Sequence, residues 1–368
     1  MKQSALTVLT LVACIALAGC GLSKGDLLPH STPPVVKIGL VAPFERRYRT
    51  LGYEALHAVK WALRERNDQG GVAGAMVELV ALNDDAEPAA SAFQARKLAV
   101  DPDVVGVIGP FTGDTLLAAA PIYEKQGLPM VTPAACPPSI AERLDGVFCL
   151  GSETDRLAQA LLGHLSDEVQ VTLLRDGDGA LGDRLALTVQ HVLETPLDES
   201  ALGEVIADPA DAYLYDGDVL GAADALIQMR RAGIVAPLWG GPSLARTQLP
   251  QIAERAVGGA CYAIASPLFA DRSPGSAFAA GYRERAGSPP GPWAALAYDA
   301  AQLLLGAIER DILARGRATR SGVTDQLGEA LGPGGDLVFA QEQRKHAVVS
   351  FYCYRAGDAY PGHPSGSQ

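Results

Sequence analysis

The chain has 368 residues, of which 48% are hydrophobic and 20% are charged, a composition typical of a globular protein with a full core. Its formal net charge is −12 and the sequence contains no basic cluster, which argues against nucleic acid as a partner. Beyond the N-terminal segment no stretch of about 18 apolar residues occurs, so the sequence predicts no membrane span there.

The N-terminus reads as an export signal. Lys2 supplies a positive charge, and Ala5 to Ala18 form an apolar segment that is short for a membrane span. The segment ends in Leu17-Ala18-Gly19-Cys20, which resembles the lipobox of bacterial lipoproteins. The resemblance implies a signal peptide over 1–19, lipidation of Cys20, and a polar tether from there to residue 34. An ordinary signal peptide that happens to end in Cys is the alternative.

The cysteine count bears on the compartment. Of six cysteines, Cys14 lies in the predicted signal peptide and Cys20 is the predicted lipid site. An even number remains, which predicts disulfides in an oxidising compartment, and buried free thiols are the alternative. No pair has CxxC spacing and the His residues are scattered, so no metal site is predicted. Of the possible pairings we favour Cys136–Cys149, a short loop, with Cys261–Cys353 as its complement.

The first half of the chain alternates strands and helices. Short apolar runs rich in β-branched residues predict buried strands, and apolar residues at helical spacing predict helices. The order βαβαβαβ predicts a parallel sheet with helices on both faces. The predicted strands are Val35–Ala42, Val77–Leu82, Val104–Gly109 and Pro129–Thr132, and the predicted helices are Tyr53–Asp68, Ala89–Val100 and Thr115–Gln126.

The alternation then restarts. About 330 residues are too many for one hydrophobic core, so two α/β lobes are expected. The predicted strands are Val147–Leu150, Val169–Leu174, Ala212–Tyr215, Pro237–Gly240, Ala260–Ala265 and Val348–Tyr354, and the predicted helices are Arg156–Ser166, Gly182–Leu193, Val219–Ala232 and Trp293–Arg310.

Eight short motifs are spread over nearly the whole chain after the tether. They are Ile38–Pro43, Asn67–Gly74, Asn83–Pro88, Val107–Gly109, Pro121–Glu124, Val131–Ala135, Ala297–Ala300 and Phe351–Gly357. Each motif alone is weak, but as an ordered series they resemble the type I periplasmic binding proteins of the leucine/isoleucine/valine-binding branch.

The resemblance implies an α/β fold of two Rossmann-like lobes, with parallel sheets flanked by helices and a three-crossover hinge. It places lobe 1 at 35–149 and 265–337, lobe 2 at 150–264 and 338–362, and a flexible tail at 363–368. A ligand would bind in the cleft between the lobes, which close on it. The closed monomer would deliver its ligand to an ABC permease, without a cofactor.

Three loops of lobe 1 are expected to face the ligand, because ligands lie beyond the carboxyl ends of parallel strands. Backbone N–H groups at a helix start favour a carboxylate. In relatives, Ser and Thr bind the α-carboxylate; Gly113 and Cys136 stand at those positions here, so Thr112 and Thr115 are the candidate hydroxyls. Asp114 would repel a carboxylate unless it caps the helix. The predicted ligand contacts on this side are Phe44, Arg46, Phe111, Thr112, Gly113, Asp114, Ala134, Ala135 and Cys136.

The first of these loops is unusually charged, with Glu45, Arg46, Arg47 and Arg49. An arginine there would suit a second carboxylate or a phosphate, and a solvated rim is the alternative.

Lobe 2 departs further from the pattern of relatives. The acid that meets an α-ammonium falls near Pro242-Ser243, and neither residue is acidic. Either Asp216 or Asp218 therefore replaces it, or the ligand is not an α-amino acid. Of Tyr213 and Tyr215, one is expected to pack on the ligand and the other in the core. The predicted contacts on this side are Leu181, Tyr215, Asp216 and Ser243.

Two further motifs carry less weight. Gly177–Gly182 fits the dinucleotide pattern GxGxxG, but an exported chain meets no NAD and the loop only enters a helix. Asp84-Asp85 is interpreted as a structural turn, and Trp61 and Trp293 as core or lobe-face residues. No nucleophile–base constellation occurs, so no enzyme is predicted.

The first hypothesis is a lipid-anchored solute-binding protein of an ABC importer, for a branched-chain amino acid or a related small carboxylate or amide. The alternative is a ligand-free sensory or scaffold lipoprotein of the same fold that binds a protein partner.

Overall fold

The computed structural model describes residues 33–135, 140, 144–151, 154–165, 169–176, 179–197, 199–265, 276–330, 349–357 and 363–364. The chain divides at Pro34, and the unit from Val35 onward is compact. The predicted signal peptide, Cys20 and Cys136 lie outside the described residues. Within those residues no helix combines the length and apolar character needed to cross a bilayer.

The first sheet has five strands, and all its pairings are parallel. Its central strands are apolar on both faces, as burial under helices requires; every residue of Val104–Ile108 is buried. In spatial order the strands are β2 (Met76–Asn83), β1 (Val35–Ala42), β3 (Val104–Ile108), β4 (Met130–Ala135) and β5 (Val147–Gly151).

Helices from two parts of the chain cover this sheet. The first set follows the first three strands: α1 (Arg49–Asp68), α2 (Pro88–Val100) and α3 (Gly113–Lys125). The second set comes from later in the chain: α9 (Ala277–Ala286), α10 (Pro292–Arg315) and α11 (Arg320–Ala330). Helix α10 packs on α1, β3 and β4. It lies so close that a Cβ on Gly106 would be 2.5 Å from the Leu304 side chain, so a larger residue there would displace that side chain. We call this sheet with these helices lobe 1.

The second sheet has seven strands and forms lobe 2 with its helices. At one edge, β11 pairs antiparallel with both β10 and β12, and the other pairings are parallel. The strand order is β12 (His363–Pro364), β11 (Val349–Cys353), β10 (Ala260–Ala265), β9 (Leu238–Gly240), β8 (Ala212–Asp216), β6 (Val171–Arg175) and β7 (His191–Glu194). Its helices are α4 (Thr154–His164), α5 (Ala180–Leu185), α6 (Glu199–Ala207), α7 (Val219–Arg231) and α8 (Gln248–Ala253).

The chain passes between the two sheets three times. The passages follow Gly151, Ala265 and Ala330, where one sheet or its helices end and the other resumes. The predicted α/β fold of two lobes is therefore confirmed. The exact lobe bounds stay a prediction, and the predicted tail over 363–368 includes strand residues that pair with β11.

One predicted helix is wrong. The helix expected over Gly182–Leu193 ends at Leu185, and β7 (His191–Glu194) follows it. Side chains along β7 alternate between half-buried and exposed, because this strand lies at the edge of the sheet and pairs only with β6. The alternation of side chains along this short strand was not recognised in the sequence, because the strand follows a segment with helical spacing. Helices α6, α8, α9 and α11 were not predicted.

The predicted disulfide between Cys261 and Cys353 is confirmed. The two residues stand directly opposite each other on β10 and β11, so the bond links neighbouring strands of lobe 2. Cys149 is disulfide-bonded as well. The pairing of Cys149 with Cys136 stays a prediction, because Cys136 lies outside the described residues.

Candidate ligand-binding cleft

On the lobe 1 side, the loops after β1 and β3 meet at one edge of the sheet. Phe44 follows β1; its backbone N–H donates to the Asn83 side chain at 2.8 Å, which joins the ends of β1 and β2. Phe111 follows β3 and is buried, with its ring centroid 6.4 Å from that of Trp293 on α10. Ala134, near the end of β4, is also buried, and Ala135 ends the strand. This side of the cleft is therefore largely apolar.

The N-terminus of α3 lies in the same group of loops. Thr112 is its N-cap residue; its hydroxyl is 2.7 Å from that of Thr115, which is fully buried. Asp114 is not the N-cap, the role in which it would not repel a carboxylate: the helix begins at Gly113, and Asp114 stands exposed in its first turn. A carboxylate is still favourable there because the N-terminal end of a helix is positive.

The charged loop after β1 contacts the opposite lobe through a residue that was not singled out. Arg46 has a left-handed backbone (φ 58°) and points to Glu87 within lobe 1, at 3.9 Å. Arg47 instead donates to the Asp218 carboxylate of lobe 2 at 2.6 Å and to the Tyr48 hydroxyl at 2.8 Å. Arg47 and Asp218 thus form an ion pair between the lobes.

Lobe 2 presents a second arginine. Arg246 follows the short helical turn Pro242–Ala245 after β9, and it is only 7% exposed. Its guanidinium carbon is 4.8 Å from the centroid of Tyr48 and 5.9 Å from that of Trp293, both of lobe 1. Burial lowers the pKa of Arg246, but a guanidinium keeps its proton in proteins. A buried cation therefore stands between aromatic rings at the boundary of the two lobes.

Hydrogen bonds from Tyr354 fix the backbone of the turn that carries Arg246. The Tyr354 hydroxyl, just after β11, donates to the carbonyl oxygen of Leu244 at 2.8 Å and lies 3.3 Å from that of Arg246. Tyr354 is buried, so its hydroxyl needs such partners. The antiparallel edge of lobe 2 thus fixes the turn that faces lobe 1.

Both acids that were candidates for binding an ammonium are engaged. Asp218 is the N-cap of α7: its carboxylate accepts from the N–H groups of Leu220 and Gly221 at 2.7 and 2.9 Å, besides the ion pair with Arg47. Asp216 accepts from the Gly182 N–H at 2.6 Å at the start of α5, and burial raises the pKa of its carboxyl. The two carboxylates stabilise helix starts and the lobe contact.

The remaining lobe 2 candidates lie at different depths. Tyr213 and Tyr215 are both fully buried, and the Tyr215 hydroxyl donates to the Asp218 carbonyl oxygen at 2.9 Å, so neither ring has exposed surface. Neither tyrosine therefore offers the exposed ring surface on which a ligand was expected to pack. Leu181 is buried against lobe 2, and Ser243 is half-buried in the turn before Arg246.

The Asp84-Asp85 pair forms a turn, and only part of the Gly177–Gly182 motif is described. Asp84 accepts from the Ala86 N–H at 3.0 Å and Asp85 accepts from the Asn83 side chain at 2.8 Å, as expected of a turn. Residues 177–178 of the glycine motif are not described. In the described part of the chain, no group of His, Cys, Asp and Glu is arranged to hold a metal ion.

The predicted ligand contacts therefore omitted four of the residues that join the lobes: Arg47, Tyr48, Arg246 and Trp293. Arg47 was noted in the charged loop and Trp293 as a core or lobe-face residue, but neither was expected to contact the other lobe. A signal was present for one of them. Arg246 is a charged residue a few positions after the carboxyl end of a buried strand, where α/β proteins bind ligands. The contribution of Trp293 had no such signal, since it comes from the far end of the chain.

Known proteins with similar sequences are periplasmic and amino acid binding proteins. The family model described as "Periplasmic binding protein" matches residues 35–195. The Leu/Ile/Val-binding protein BraC3 of Rhizobium johnstonii is 28% identical over 321 residues, which cover 82% of this chain and 83% of that protein. An amino acid binding protein of Pseudomonas aeruginosa is 26% identical over 57% of this chain and 61% of its own length.

Solved structures share the fold. The branched-chain amino acid transporter substrate binding protein LivJ of Streptococcus pneumoniae, in complex with isoleucine, superposes with a TM-score of 0.76 at 21% identity, covering 90% of this chain and 98% of that chain. A solute binding protein of R. palustris in complex with benzoate gives a TM-score of 0.67 at 19% identity, with the same coverage. This chain therefore resembles the periplasmic binding proteins in sequence over residues 35–195, and it shares the two-lobe fold of branched-chain amino acid binding proteins.

Proposed function

We propose that this chain is the solute-binding component of an ABC importer, and that it binds a small carboxylate between its two lobes, either a branched-chain amino acid or a related acid. The observation that carries the proposal is the buried Arg246 between Tyr48 and Trp293, at the boundary of the lobes. A buried cation beside apolar rings suits a ligand with an anionic group and an apolar body.

The relatives support the same class of ligand. One is named for leucine, isoleucine and valine, and fold neighbours were crystallised with isoleucine, leucine and benzoate. These ligands share one carboxylate and an apolar body. An α-amino acid also needs an acid for its ammonium, and Asp216 and Asp218 are already engaged here.

The Arg47–Asp218 ion pair gives the lobes a contact that closure would preserve. It is about half exposed on the arginine side, so it contributes about 1 kcal/mol or less. A ligand bound to both lobes would add to this contact and stabilise the closed state. Lipidation at Cys20 would keep the protein close to its permease.

Thermal unfolding against a ligand panel tests the proposal. The chain from Cys20 onward, with Cys20→Ser to prevent lipidation, is heated with branched-chain amino acids, small carboxylates, amides and nucleosides. A ligand at 100 times its Kd stabilises the fold by about 2.7 kcal/mol. For lobes of this size the midpoint then rises by about 5–10 °C. A panel without any shift contradicts the proposal.

A second candidate function is a lipoprotein that binds a protein partner. One observation favours it: the chain's own side chains, Arg47, Asp218, Tyr48, Arg246 and Trp293, already contact each other across the lobes. A flat thermal panel combined with retention of a membrane protein other than a permease on the immobilised chain would favour this function.

A further inference from the structure

Two buried donors at the lobe boundary have no acceptor. Among the described residues, neither Nη1 of Arg246 nor Nε1 of Trp293 has a hydrogen-bond partner, and each side chain is only 7% exposed. The Arg246 guanidinium carbon is 5.9 Å from the Trp293 ring centroid, so the two donors belong to one small region. Buried N–H groups without partners are rare in folded proteins, and a charged one is especially costly.

The acids of the chain do not supply the missing acceptor. Asp218 is shared between the start of α7 and Arg47. Glu54 on α1 favours the charged form of Arg246, but no hydrogen bond joins it to Nη1. Ser243, in the turn before Arg246, is neutral.

We infer that the physiological ligand is a carboxylic acid without an α-ammonium group, whose carboxylate accepts hydrogen bonds from Arg246 and Trp293. A carboxylate has two oxygens, which matches two donors on different side chains. An ammonium brought to the same place would meet the Arg246 cation. The rings of Tyr48 and Trp293 would contact the apolar body of the acid. This inference rests on the proposed function and narrows it.

The test compares ligands that share one skeleton. Calorimetric titration of the chain from Cys20 onward, with Cys20→Ser, uses 4-methylpentanoate, leucine and 4-methylpentanamide, and then benzoate and benzamide. The acids are expected to bind about 30-fold or more tightly than the amides, because an amide brings no negative charge to the buried Arg246 cation. Leucine is expected to bind more weakly than 4-methylpentanoate.

Variants assign the effect to the arginine. Arg246→Gln is expected to weaken binding of the acids about 30-fold or more and to remove the preference for acid over amide. Arg246→Lys keeps the charge but loses the forked geometry, so it is expected to fall between the two. Arg231→Gln changes an exposed arginine on α7 and serves as the matched control, which should bind like the wild type.

The failures are distinguishable. Leucine binding as tightly as 4-methylpentanoate or more so, or acid affinity unchanged in Arg246→Gln, overturns the inference and leaves the importer function standing. No binding by any of the five compounds or by the wider panel overturns the proposed function and the inference with it. If Arg246→Gln does not fold, the comparison of acid, amino acid and amide on the unchanged protein decides alone.

Discussion

The two faces of the cleft are built differently. Lobe 1 offers rings and a helix start, namely Tyr48, Trp293, Phe111 and the N-terminus of α3, on a sheet whose strands are all parallel. Lobe 2 offers charges, Arg246 and Asp218, on turns that are held by Tyr354 and by the cap of α7. The loops of lobe 1 reach the cleft directly from the ends of parallel strands. In lobe 2 the turn before Arg246 is also held by Tyr354, which follows the antiparallel, disulfide-linked strand β11.

The largest expected effect concerns that edge. Replacing both Cys261 and Cys353 with Ala removes a cross-link between residues that are 92 positions apart. We expect a loss of about 2–5 kcal/mol in the free energy of unfolding, measured by denaturant titration. Titration of the proposed ligands should show weaker binding as well, because β11 leads directly to Tyr354. An unchanged midpoint would mean that the strand pairing alone holds this edge.

A buried acid in lobe 1 gives the next effect. Asp84 is fully buried, and burial raises the pKa of its carboxyl to about 6, above the unfolded value of 3.8. The folded state therefore binds this proton more tightly, and stability falls as the pH rises from about 4 to 6. The loss amounts to about 3 kcal/mol.

Asp84→Asn keeps the side-chain oxygen that accepts from the Ala86 N–H and removes the titrating group. Unfolding measured between pH 4 and pH 7 should lack this loss in Asp84→Asn. Asp68→Asn, which changes an exposed acid on α1, is the control and should keep the wild-type profile. Equal pH profiles for wild type and Asp84→Asn would show that Asp84 is ionised throughout.

The contact between the two faces can be divided into its parts. Asp218→Ala removes the cap of α7 and the partner of Arg47, and we expect a loss of about 1–2 kcal/mol. Asp218→Asn keeps a capping oxygen and removes the charge, so its loss should be about 1 kcal/mol or less and should shrink at high salt. Chemical unfolding at two salt concentrations measures both. A full loss in Asp218→Asn would mean that the ion pair, not the cap, dominates.

The smallest effect concerns the support of Arg246. Tyr354→Phe removes the hydroxyl that binds the carbonyl oxygens of Leu244 and Arg246, and should cost about 1 kcal/mol of stability. Ligand affinity should fall too, because the Arg246 backbone is no longer fixed. Tyr53→Phe, at a half-exposed ring on α1, is the control. Unchanged affinity in Tyr354→Phe would show that Arg246 is positioned by its own turn.

The strands were largely predictable because burial on both faces leaves an unmistakable apolar run. Val35–Ala42 and Ala260–Ala265 were predicted with the bounds that the structure has, and Val104–Ile108 within one residue. The edge strand His191–Glu194 was not predicted, because its side chains are alternately half-buried and exposed and it lies after a helical segment. Helix α10 was expected from its spacing but reaches Arg315, five residues beyond the predicted end.

The sequence by itself determined the α/β fold class, because apolar periodicity is a local property. The resemblance to a known family implied the order of the lobes, the loops at the cleft and the missing acid near Ser243. Only the tertiary structure decided what stands there instead. Arg246 becomes a site residue because Tyr48 and Trp293, about 200 and 50 positions away in the sequence, enclose its guanidinium. Burial of a charge between two lobes depends on contacts distant in sequence, which no local pattern records.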